Sequence, residues 1–148
     1  MKGFPDLPPI WLVVFLVLNW AIASILPGFP VGAFTITLSW ALIGIGLVLI
    51  AWSAFWFWRR KTTIEPHHKP AKLIKEGPFR LSRNPIYLAM SIILLGAIFG
   101  NGQPIGLVLL PIFVLIISMR FVIPEEDMLR DAFGAEGDAY IKATRRWL

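Results

Sequence analysis

One stretch decides the fold: Leu7 to Trp58, LPPIWLVVFLVLNWAIASILPGFPVGAFTITLSWALIGIGLVLIAWSAFWFW, which holds not one Asp, Glu, Lys or Arg. A bilayer-spanning helix needs ~20 predominantly apolar residues, so this run is long enough for two. Pro27, Gly28 and Pro30 interrupt it, with Gly32 close behind, and proline and glycine are the residues that helix interiors tolerate least. The run reads as one span from about Ile10 to Leu26 and a second from about Phe34 to Trp58. A second uncharged run, Ile86 to Met119, is broken at Asn101-Gly102-Gln103-Pro104. It supplies a third span from Ile86 to about Gly100 and a fourth from Pro104 to about Val122. The third is short, covering about 22 Å at 1.5 Å per residue, and is expected to tilt or to extend into its flanks.

Composition agrees. The 148 residues are 57% hydrophobic and 16% charged, against about 25% charged in soluble domains, and the mean hydropathy is +0.71. A soluble domain of this size hides only about two-thirds of the surface that its unfolded chain exposes, so the apolar excess must face lipid. The expected fold is all-α: an integral membrane protein with four transmembrane helices and a helical C-terminal tail, all in a single membrane domain over residues 1–148. The first span lacks the basic start and small-residue end of a cleaved signal peptide and is read as retained. With no cysteine in the chain, disulfides, thiolate metal sites and a cysteine nucleophile are excluded.

The net charge of +5 is distributed as a membrane protein would place it rather than as a nucleic-acid-binding face. The turns at Pro27–Gly32 and Gly100–Pro104 carry no charge, whereas Arg59, Arg60, Lys61, Lys69, Lys72, Lys75, Arg80 and Arg83 fill the segment between spans two and three. Arg120, Arg130, Lys142, Arg145 and Arg146 follow in and beyond the fourth span. Lysine and arginine concentrate in cytoplasmic loops, so both termini and the basic segment are expected in the cytoplasm, in an inner or plasma membrane whose anionic lipid heads they attract. Trp11, Trp52, Trp56, Trp58 and Trp147 sit near predicted span ends, where indole rings anchor at the interface. Beyond the fourth span, Pro124-Glu125-Glu126-Asp127 reads as a helix start and Gly134 as its stop. A second short helix from about Glu136 would align Tyr140, Thr144 and Trp147 on the membrane surface.

Polar residues are concentrated in Arg59–Tyr87 and in the tail from Arg120. The hairpin of spans three and four brings the ends of these stretches together, so one site can be built from both. On composition alone, Glu125 and Glu126 are helix-start acids that can also pair with Arg80 and Arg83. Adjacent His67 and His68 point different ways on most backbones, and no further ligand cluster accompanies them, so no metal is expected. Neither a phosphate-cradling glycine loop nor a nucleophile elbow is present.

At these residues the chain resembles a known superfamily. Gly77-Pro78-Phe79-Arg80, Ser82-Arg83-Asn84-Pro85-Ile86-Tyr87 and, past the hairpin, Glu125-Glu126, Leu129, Phe133-Gly134, Tyr140 and Arg146-Trp147 are similar in kind and order to the isoprenylcysteine carboxyl methyltransferase and phospholipid methyltransferase superfamily. Thr62-Thr63-Ile64-Glu65-Pro66-His67 resembles the segment that precedes the glycine in many bacterial members. The likeness covers roughly residues 59–148. It implies a four- or five-span helical enzyme that binds S-adenosylmethionine at the cytoplasmic membrane surface. It further implies cofactor contacts from Ala71, Lys72, Leu73 and Ile74, from Phe79, from Asn84, Pro85, Ile86 and Tyr87, and from Glu125. Asn84 stands where eukaryotic members carry histidine, and Gly137 where an aromatic residue is common.

On that resemblance Glu125 would accept the ribose hydroxyls or balance the cofactor's positive charge, and Arg83 with Asn84 would hold its carboxylate. The acceptor would be a lipid or prenyl-type amphiphile, its tail in apolar spans and its head near Arg120, Glu126 and Tyr140. A carboxylate acceptor would be held by Arg120, and an amine would give its proton to Glu126 or Tyr140. Two rival classes remain: a non-catalytic lipid-binding or assembly protein, which a measured cofactor affinity separates from an enzyme, and a small exporter, which lacks the intramembrane ionisable group that proton coupling needs. Reporter fusions at Gly28 and Gly102 test the topology: both turns are expected outside the cytoplasm, and a cytoplasmic signal from either one would sink the four-span arrangement.

Overall fold

The computed structural model describes residues 6–61 and 72–148 and is built from helices. They are α1 (Pro8–Ile25), α2 (Ala33–Arg60), α3 (Pro85–Asn101), α4 (Gly106–Ile117), α5 (Ile123–Phe133) and α6 (Ala135–Ala143), with a 3₁₀ turn at Gly77–Arg80. α1 and α2 are long and apolar enough to cross a membrane, as is the continuous helix Gly106–Phe133 that contains α4 and α5, while α3 is a shorter apolar helix. α3 has 17 residues, Pro85–Asn101, about 25 Å of rise, one residue more at each end than the span read from the sequence. Little of each long span is covered by the rest of the chain. The outward apolar surface is therefore lipid-facing.

The fourth helix departs from expectation. A fresh helix start was read at Pro124, but the chain runs on without a break through a π-helical turn, Ser118–Val122. There the Ile123 N–H reaches back five residues to the Ser118 carbonyl. Pro124 can offer no N–H, and a widened turn before it accommodates that loss within a continuing helix. The apolar stretch ends at Ile123. Beyond it α5 carries five charged residues, Glu125, Glu126, Asp127, Arg130 and Asp131, and stands outside the membrane-spanning part. The tail also differs from its expected form: α6 ends at Ala143 and Thr144 is extended. The last residues run back along the segment before α3, where the Arg83 N–H donates to the Arg145 carbonyl at 3.0 Å.

Small residues let α2 and α3 pack closely. Ser39, Gly46 and Ser53 recur every seven residues on the buried face of α2, facing Ala89 and Gly96 of α3. A Cβ on Gly46 would lie 2.5 Å from Ile93 and 2.9 Å from the Ala89 carbonyl. Between helices in lipid, such close backbone approach supplies most of the attraction, since burial of apolar surface gains nothing over lipid tails. On another side of α3, α1 and α4 enclose Leu94, Ile98, Phe113, Ile117, Phe121 and Val122, with Phe15 edge-on to Phe113 at 5.3 Å.

The two turns at the far end of the bundle interlock. The Phe29 N–H donates to the Gly102 carbonyl at 2.9 Å, and the Gln103 side chain donates to the Leu26 carbonyl at 2.5 Å. Gly102 has φ +63, and a Cβ there would meet the Phe29 carbonyl at 2.7 Å, so only glycine fits. The helix spacing yields a paired test. Gly46→Leu is expected to destabilise the detergent-solubilised chain by about 1–3 kcal/mol through overpacking. Gly44→Leu, where a Cβ meets nothing within 4 Å, is expected to leave thermal unfolding nearly unchanged.

Candidate functional site

At the opposite end of the bundle the chain closes a cavity of about 400 Å³, within the range of small-molecule sites. Three pieces of sequence build it. The first is the segment entering α3. Gly77, at φ +60, lies flat beneath the Trp56 indole, which leaves no room for a side chain there. The 3₁₀ turn that follows buries Pro78 and Phe79. The second is the start of α3, where Pro85 takes the first helical position with Asn84 as its N-cap. The third is α5 with the tail.

An ion triad, with Glu126 and Arg83 buried and Arg146 at the surface, joins the pieces. Glu126 receives Arg83 Nη2 at 2.7 Å, and Arg146 Nε and Nη2 at 2.8 and 2.7 Å. Its side chain is 5% exposed and that of Arg83 9%, so both charges depend on each other. Burial alone would raise the Glu126 carboxyl; the hydrogen bonds from Arg146 and Arg83 outweigh it and hold the group below the usual carboxylate range. Arg83 also donates to the Ile141 and Thr144 carbonyls. Ser82 Oγ and Asn84 Nδ2 both donate to the Arg146 carbonyl, at 3.1 and 2.9 Å. The Arg83 Nε is buried and has no partner.

Glu125 is held differently. The Tyr87 hydroxyl donates to its Oε1, and among the described residues no second donor reaches it. Burial pushes this carboxyl up to about 7, against the lowering effect of the tyrosine hydrogen bond. Tyr140, buried in α6, donates its hydroxyl to the Phe79 carbonyl at 2.9 Å. Burial raises its pKa further than Arg83 lowers it, so it stays a proton donor and fixes the 3₁₀ turn. Phe79 meets Phe57 of α2 edge-on at 5.3 Å.

Most of the residues singled out from the sequence gather here. Lys72, Leu73, Ile74 and Phe79 line the cavity, as do Arg83, Asn84, Pro85, Ile86 and Tyr87. Glu125, Glu126 and Tyr140 complete the list. Ala71 lies outside the described residues, as do His67, His68 and the segment from Thr62. Arg120 is not on the wall: it pairs with Asp6 at 2.6 Å. Arg80, expected to pair with the carboxylates, is exposed; Arg146 takes that place. Leu7, Pro8, Pro9, Phe57, Met90, Met128 and Leu129 line the cavity too; of these the sequence singles out only Leu129, as a motif residue and not as a cavity-lining one. Helical spacing points to the last two, three and four residues after Glu125 on its own face, and Met90 lies one turn below Ile86. For α1 and Phe57 the sequence carries no such signal, because apolar residues at span ends look alike. Among the described residues no group of three or more metal-ligating side chains gathers.

Comparison with known protein families gives one match: the phospholipid methyltransferase model aligns with residues 34–136, from the start of α2 into α6. The chain belongs to the phospholipid methyltransferase family. No curated protein and no solved structure matches it. It is therefore a membrane methyltransferase, and the matched region carries both carboxylates and the whole segment entering α3. α1 and the residues after 136 lie beyond the match; among them Leu7, Pro8, Pro9 and Tyr140 line the same cavity, and Arg146 supports its wall through Glu126.

The triad has a measurable consequence for this family member. Removing Glu126 leaves Arg83 charged and buried without compensation, so Glu126→Ala is expected to cost about 3–5 kcal/mol in reversible unfolding. Lys75→Ala breaks only the exposed pair with Glu136 and is expected to stay within about 0.5 kcal/mol. Equal effects from the two would show that the triad carries no special weight.

Proposed function

We propose that this chain is an S-adenosylmethionine-dependent methyltransferase acting on a lipid or prenyl-type amphiphile at the cytoplasmic surface of the membrane. The observation that carries the reading is the Glu125 carboxylate: half-buried on the cavity wall, tied only to Tyr87 among the described residues, and surrounded by the segments that the family resemblance points to. The residues present fit the donor's chemistry. A ribose diol and a sulfonium cation suit Glu125. A carboxylate suits the unpartnered Arg83 Nε, with Lys72 and Asn84 on the same wall. A flat heterocycle suits the aromatic corner of Phe79 and Phe57. When bound, this donor supplies an activated methyl group, so the protein needs neither a nucleophile nor a metal of its own.

The chain's own work is then positioning and exclusion. Apolar residues of α5 and α3, Met128, Leu129 and Met90, keep water from the reacting centre, and the ion triad holds the polar wall at fixed spacing. A carboxylate acceptor needs no base. An amine must give up a proton before it attacks, and Glu125, with a pKa of about 7, is suited to take it on its Oε2. Glu126 and Tyr140 are each bound to structural partners, which favours Glu125 over them in that role. The basic residues around the cavity mouth support its placement on the cytoplasmic side.

Donor affinity tests this reading. Glu125→Ala is expected to lower S-adenosylmethionine affinity about ten- to a hundredfold, the loss of one charge-assisted hydrogen bond of about 1.5–3 kcal/mol. The sign of the pH dependence follows from the raised pKa: the carboxylate form is depleted as pH falls through about 7. Wild-type affinity should therefore weaken by up to roughly tenfold between pH 8 and pH 6, and Glu125→Gln should abolish that slope. Titration calorimetry of folded protein in detergent reads both. An unaltered affinity in Glu125→Ala would reduce the residue to a helix-start acid.

A further inference from the structure

The cavity has a polar wall, described above, and an apolar portion formed by three helix ends. These are Leu7, Pro8 and Pro9 at α1, Phe57 near the end of α2, and Ile86 with Met90 in α3. α1 and α2 both pack on α3, and their outward faces expose Val13, Val14, Phe55 and Trp58. The apolar portion thus lies at the edge of the lipid-facing zone. It is continuous with the space in front of Glu125 and Tyr87.

The start of α1 is fastened in place. Arg120, in the π-helical turn, puts Nη2 and Nε on Asp6 Oδ2 at 2.6 and 3.1 Å. The Trp11 indole N–H donates to Asp6 Oδ1 at 2.9 Å, and the Arg120 guanidinium lies 5.3 Å from the Trp11 ring. Phe121 and Val122, next to Arg120, are fully buried, so the turn that carries this arginine is itself anchored in the core. An ion pair at the margin of a low-dielectric zone is stronger than one in open water. Past Leu7, the pair Pro8 and Pro9 makes a stiff wall that starts two residues beyond the fastened Asp6.

We propose that Asp6 and Arg120 are positioning residues that hold Leu7–Pro9 as one wall of a subsite for the acceptor's hydrocarbon chain. The proposal rests on the methyl-transfer reading and adds to it where the acceptor's tail lies and which helix selects it. A hydrocarbon chain is the occupant because this portion is lined by apolar side chains, adjoins lipid, and leads to the carboxylate where a polar head would stop. α1 lies outside residues 34–136, the part of the chain that the family model matches. Arg120 acts through α1 and not by touching the head.

The test uses the full chain in phosphatidylcholine nanodiscs with two probes, hexadecylamine and palmitate, each carrying a diazirine near the chain end. Photolabelled residues are mapped by mass spectrometry, and S-adenosylhomocysteine affinity is measured in parallel. Wild-type labelling is expected to concentrate at Leu7–Pro9 and Met90. D6N and R120Q should each lower it there by about fivefold or more, with S-adenosylhomocysteine affinity held within about twofold. The charge-swapped double variant D6R/R120D, which keeps the ion pair but loses the Trp11 bond, should restore most of the labelling at these residues, which a direct contact between Arg120 and the head would not allow. If D6N does not fold, Trp11→Phe removes one bond to Asp6 and should give a smaller loss at the same residues. Labelling spread evenly over the lipid-facing helices, or a charge swap that restores nothing, overturns the proposal. Failure of the wild type to bind S-adenosylhomocysteine overturns the methyl-transfer reading instead, and the labelling pattern still decides the subsite.

Discussion

Everything at the working end of this protein hangs on one carboxylate shared by two arginines. Glu126, Arg83 and Arg146 come from a helix continuing out of the fourth span, from the segment before α3, and from the non-helical tail after α6. Phe121, Val122 and Trp147 hold these pieces to the apolar core, and the triad fixes them to one another. Glu126 and Arg83 are buried, and buried charges are costly to desolvate and return that cost only when well paired. The triad comes close to that condition with two bonds from Arg146, one from Arg83, and two backbone carbonyls on the Arg83 Nη1, which leaves only the buried Arg83 Nε without a partner. A geometry so demanding permits few alternatives, and the cavity inherits its shape from it.

The two adjacent glutamates divide their work by surroundings. Glu126 faces cations and is kept ionised; Glu125 faces a tyrosine in an apolar recess and is pushed toward neutrality. Neighbours in a helix point about 100° apart, so a single step along the chain separates a structural anion from a titratable one. Tyr140 is likewise spoken for by the Phe79 carbonyl. The wall thus presents one carboxyl whose protonation can change without loosening the frame.

Much of this was legible in the sequence. Uncharged runs and their glycine–proline breaks located the helices because lipid imposes a length and polarity rule that few residues can evade. The motif residues from Lys72 to Tyr87 and Glu125 converge as their order suggested, since a hairpin returns its ends to one place. What escaped is equally physical. The π-helical turn depends on how one helix reconciles Pro124 with continuing, which no periodicity reveals. The partner of Arg120 is Asp6, more than a hundred positions away. Arg146 displaced Arg80 as the second cation on Glu126 because the tail turns back after Ala143 instead of staying helical to Trp147. Phe57 and the start of α1 line the cavity through tertiary placement alone.

The interlocked turns at the far end carry a mechanical implication. Gly102 and Phe29 pin the two hairpins to each other at one extremity, while the cavity occupies the other. Helix α2, with 28 residues, is about 42 Å long. A tilt of roughly 5° about the pinned end would sweep its free end through nearly 4 Å, on the order of the width of a methylene chain, by that same helix length. The fastening therefore acts as a pivot. It leaves the turns almost stationary and delivers whatever swing the helices have to the rim where Phe57 stands.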